Sequence, residues 1–144
     1  MLALRDIREW VAGFGISEDS HVYIGKLDNK KERSIGVYRR KGSGPPVMAL
    51  GGALQSSYDV RRISLLVHWE RDPVRSEAAA LELFERIRKE SDKPDLEVGD
   101  TRMFFLVSLQ VPEPQDVGTD ESGIYEYVIW LDLYYERKRG MGYE

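Results

Sequence analysis

From Ile124 to Arg137 the side chains alternate at strict period two. Tyr125, Tyr127, Ile129, Leu131, Leu133 and Tyr135 fall on one face, and Glu126, Val128, Trp130, Asp132 and Tyr134 on the other. Successive side chains of a strand point to opposite sides, so this segment predicts a long β-strand. One of its faces is strongly apolar, and the other is mixed and aromatic rather than bare polar. Met103 to Gln110 is denser still in apolar residues and predicts a second strand, with a polar acidic loop between the two. A strand with apolar groups on both faces wants cover on both. If helices of the same domain cover one face, something else is expected to cover part of the other. That is the pattern of a chain built to assemble, and no comparable signal for catalysis accompanies it.

The rest of the chain supplies the partners for these strands. Leu4, Ile7, Trp10 and Val11 recur at helical spacing over residues 2–12, and Gly13 and Gly15 stop the helix. His21–Leu27 and Ser34–Arg40 read as two strands of a hairpin joined by residues 28–33. Residues 41–57 are rich in Gly, Pro and Ser and form a long loop, of the kind that is usually functional or mobile. A strand follows over 58–69, with Ile63, Leu65, Val67 and Trp69 on one side. Asp72 and Pro73 make a good helix start, with Ser76 as a rival cap. That helix is expected to run to about Glu90, burying Ala80, Leu81, Phe84 and Ile87 and exposing Glu82, Glu85, Arg86 and Lys89. The expected fold is α+β: a single, mainly antiparallel (mixed) sheet of about five strands with two helices packed on one face.

Composition narrows the class. At 144 residues the chain is expected to be one domain over 1–144, and 42% apolar against 32% charged residues is too apolar for a disordered chain. A net charge of -4 argues against non-specific nucleic-acid binding as the main task. The absence of cysteine excludes disulfides, thiol catalysis and thiolate metal sites. Apolar runs fall short of the ~20 residues that span a bilayer. Met1–Glu9 mixes charge into its apolar positions, unlike a signal peptide, so a soluble protein made inside the cell is expected.

Catalytic and cofactor motifs are missing. His21 and His68 each sit alone in a strand, without metal-ligand spacing, and read as ordinary sheet histidines. Gly51 and Gly52 lack the surroundings of a phosphate loop. Between Glu113 and Glu126 stand five acids, Glu113, Asp116, Asp120, Glu121 and Glu126, and no Lys or Arg. The calcium-loop register is absent there, which leaves a solvated loop or a docking surface as the main readings. No catalytic, metal or cofactor residues are therefore assigned.

The segment 26–41 is the electrical opposite, with seven bases against two acids. It reads as a solvated hairpin, as a partner surface, or as a nucleic-acid contact in which Tyr23 and Tyr38 interleave with the bases. Complementary patches on one small molecule favour head-to-tail contacts, which close into rings when the rotation permits. Rim charges fix register, so the binding energy must come from apolar anchors. The candidate interface residues are Lys30, Lys31, Arg33, Met48, Leu50, Leu54, Asp116, Asp120, Glu121 and Trp130.

Several runs carry a family likeness: Ala49–Gly52, Ser57–Val60, Ile63–Trp69 with the helix after it, and Gly123–Tyr127. Together they resemble the minor capsid and tail-terminator proteins of long-tailed bacteriophages. The resemblance implies a small α+β virion protein, made in the bacterial cytoplasm, that forms a ring, expected to be a hexamer. Such a ring caps the tail tube, halts its polymerisation and offers the head-joining surface. The implied partners are further copies of the chain, the tail-tube protein and a head-completion or connector protein, with no membrane and no sequence-specific nucleic acid. The resemblance brings no catalytic residues. A nucleic-acid-binding domain using the basic hairpin is the alternative.

Overall fold

In a computed structural model of the chain, the structure describes residues 2–25, 31–40, 58–91, 96–98 and 102–136. Two helices, α1 (Leu4–Ala12) and α2 (Pro73–Ser91), accompany strands β1 (Val22–Ile24), β2 (Ser34–Arg39), β3 (Tyr58–His68), β4 (Leu96–Val98), β5 (Arg102–Leu109), β6 (Gln115–Thr119) and β7 (Tyr125–Glu136). Six strands lie side by side in the order β1-β2-β3-β7-β5-β4, and β6 pairs with β7 off this path. The expected α+β architecture with a mixed sheet is present, with more strands than the five expected. Two strands are additional: the short β4 after α2, and β6, which falls inside the segment read as an acidic loop.

The long alternating strand is the centre of the sheet. β7 pairs with β3 over its whole length, from Tyr58↔Glu136 to His68↔Glu126. Its other edge is shared end to end: β5 takes the stretch opposite Leu131–Tyr135, and β6 the stretch opposite Tyr125–Val128. Pro112 and Pro114 lie between β5 and β6, and proline cannot donate to a ladder, so pairing lapses there and resumes at Gln115. Since β3 and β5 both run antiparallel to β7, they are parallel to each other. The β3–α2–β5 passage is thus a crossover with β7 inserted between its two strands.

The first two strands overturn the hairpin expectation. β1 and β2 are parallel, with Val22↔Ile35, Tyr23↔Gly36 and Ile24↔Val37. Alternation alone reads the same for either direction, so the pattern carried no information on this point. β1 is so short that the chain needs to run back only roughly 10 Å before entering β2. Gly25 begins the reversal at φ 70°, where an L side chain would be strained, and its N–H donates to Val37 O at 2.7 Å.

Both helices cover the face of the sheet that carries the apolar members of the alternation. α1 lies against β1, β2 and β4, and α2 against β3, β5 and β7. Ile35, Val37, Ile63, Leu65, Val67, Ile129, Leu131, Leu133 and Tyr135 from the strands meet Ile7, Val11, Ala79, Ala80, Leu83, Phe84 and Ile87 in one core. Asp72 caps α2 as expected, its Oδ1 accepting from the N–H of Val74 at 2.9 Å and of Arg75 at 3.3 Å. Ser76, the rival cap, is buried instead and bridges to both backbone groups of Glu70. The buried stripe of α2 differs from expectation in one residue. Leu81 is exposed and Leu83 is fully buried, because positions 76, 79/80, 83/84, 87 and 90 form one face at 3.6 residues per turn.

Candidate interface surfaces

The face of the sheet turned away from the helices is built from the second half of the alternation. Leu66, Val128 and Tyr134 are half-buried there, Asp132 is buried, and Trp130 is 44% exposed. Arg40 reaches over this face from the end of β2: its Nη2 donates to Asp132 Oδ1, and its guanidinium carbon lies 5.3 Å from the centre of the Trp130 ring. Two charges and an indole are thereby held in one arrangement on a sheet face that no described helix covers. Trp130, a candidate interface residue, stands at the surface.

The acidic segment is a hairpin rather than a loop. Asp120 Oδ1 accepts from the N–H groups of Ser122 (2.8 Å) and Ile124 (3.0 Å), and Gly123 takes φ 82° to close the turn. Tyr125 continues the hairpin onto the chain after β3, donating to Glu70 O at 2.9 Å and accepting from Trp69 N–H at 3.1 Å. Asp120 is therefore a turn-forming residue with a largely buried side chain, while Asp116 and Glu121 are exposed. Every residue of β6 is exposed, including Val117 on the bulge between Asp116 and Gly118.

His68 sits at the root of this hairpin and is almost fully buried. Its Nδ1 is 2.8 Å from Glu126 Oε2, and its Nε2 is 3.8 Å from Asp120 Oδ2. The imidazole joins two carboxylates across β3, β7 and the turn. Among the described residues, no group of three or more His, Asp or Glu is placed to hold a metal ion.

The basic segment is partly spent on internal pairs. Arg33 stands at the start of β2 with φ 56°, a strained conformation for a side chain of this kind, and is held there at two points. Its N–H donates to Trp69 O at 2.8 Å and its Nε to Glu70 Oε2 at 2.8 Å. Arg40 is committed to Asp132, and Lys31 and Arg39 are exposed. Lys30, Met48, Leu50 and Leu54 lie outside the described residues, as do Lys26, Lys41 and the whole of 41–57. Beside Arg33, a cleft of about 360 Å³ opens between α2 and residues 16–21, floored by Trp69 and edged by Glu18, His21, Glu70 and Arg75. It was not foreseen, since its walls come from four separate stretches of chain.

Two groups have shifted acidities. Burial raises the Tyr127 phenol above its ordinary value, and the charge of Asp116, its partner across β6, adds to the shift. The Asp19 carboxylate raises the Arg8 guanidinium, which also donates from Nε to Val22 O at 3.0 Å and so seals part of the β1 edge.

No described helix is long and apolar enough to cross a membrane. No curated protein matches the sequence. A family described as bacteriophage tail terminator protein matches residues 10–137, which takes in α2 and all seven strands. This is a structural phage tail family, whose members are components of the virion. The chain belongs to the bacteriophage tail terminator family.

Proposed function

We propose that this protein forms a ring of identical subunits, a hexamer, that caps the tail tube, stops its growth and supplies the surface to which the head is joined. Its partners on this reading are the tail-tube protein on one side and a head-completion or connector protein on the other, and it carries out no catalysis. The observation that carries the reading is the one-sided cover of the sheet among the described residues. Both helices lie on one face, and the opposite face presents Trp130, Val128, Leu66 and Tyr134 in a fixed setting. An aromatic group on a rigid strand is a good interface anchor because little side-chain entropy is lost on docking. The exposed acids of β6 and its turn, and the exposed bases around β2, supply complementary rims for register.

The nucleic-acid reading has less support, since the two strands of the basic segment run parallel and Arg33 and Arg40 are held by Glu70 and Asp132. Light scattering over a range of concentrations tests the ring. A single closed species of several subunits is expected, and a strict monomer at high concentration and low salt speaks against it. Addition to polymerising tail-tube protein should shorten the tubes, and tubes of unchanged length would remove the terminating role.

A further inference from the structure

We draw no further inference here: the strongest candidate, the sheet face around Leu66, Val128, Trp130 and Tyr134 that no described helix covers, carries nothing beyond the ring reading, because nothing in the structure shows what covers it.

Discussion

Tyr127 is a phenol on the buried face of β7, and Asp116 stands opposite it across the ladder. Burial and that carboxylate both disfavour the phenolate, so the folded protein keeps a proton that the unfolded chain gives up near pH 10. Wherever the folded state binds the extra proton, raising the pH favours unfolding. The contribution is whole below the ordinary tyrosine value and is lost as the pH climbs through it towards the raised one. Tyr127→Phe should therefore flatten the alkaline limb of stability measured by urea unfolding between about pH 9 and 11. Identical limbs in the two proteins would mean that Tyr127 ionises as freely folded as unfolded. The same pair shows what was legible at this scale. The inward place of Tyr127 follows from alternation, but its neighbour Asp116 came from a segment read as loop, and only pairing brings the two together.

At the scale of elements, α2 separates what periodicity decides from what it leaves loose. Its start at Asp72 and Pro73, its length and most of its buried face were readable, because capping and 3.6-residue spacing are local. The choice between Leu81 and Leu83 was not, since a helix turned slightly about its axis satisfies the same pattern. The sheet decides the rotation, and Leu83 is the residue it buries. Leu83→Ala should cost about 2–5 kcal/mol in chemical denaturation, and Leu81→Ala well under about 1 kcal/mol. Similar losses at both positions would place the helix at a different rotation. Strand β6 was missed for a related reason. Pro112, Pro114 and a run of acids look like loop to any local criterion, and the segment is a strand only because β7 extends beyond the end of β5 and offers an edge.

For the whole molecule, the arrangement of surfaces matters more than any one residue. Trp130 lies beside Arg40 on the exposed side of a strand whose opposite face is in the core. Trp130→Ala should leave the unfolding midpoint of the monomer within about 1 kcal/mol of wild type, because an exposed ring contributes little to the core. It should weaken ring formation or docking to the tail tube, read by light scattering and by tube length. Unchanged assembly would assign that face to solvent. The charge pattern also looks different at this scale. As sequence, the segments 26–41 and 113–126 are simply opposite; in the fold β2 and β6 lie on opposite sides of the β3–β7 pair, and Arg33 and Arg40 are already neutralised by Glu70 and Asp132.

The sequence by itself determined the two-faced last strand, both helices and the α+β class, since each depends on near neighbours and on a period of two or 3.6 residues. Only the tertiary structure decided that β1 and β2 run parallel, that β6 shares an edge with β5, and that Arg40 meets Asp132 and His68 meets Glu126. Those features join residues far apart in the chain, and strand direction and partner choice leave no trace in a local pattern because alternation is the same in either direction and beside any neighbour.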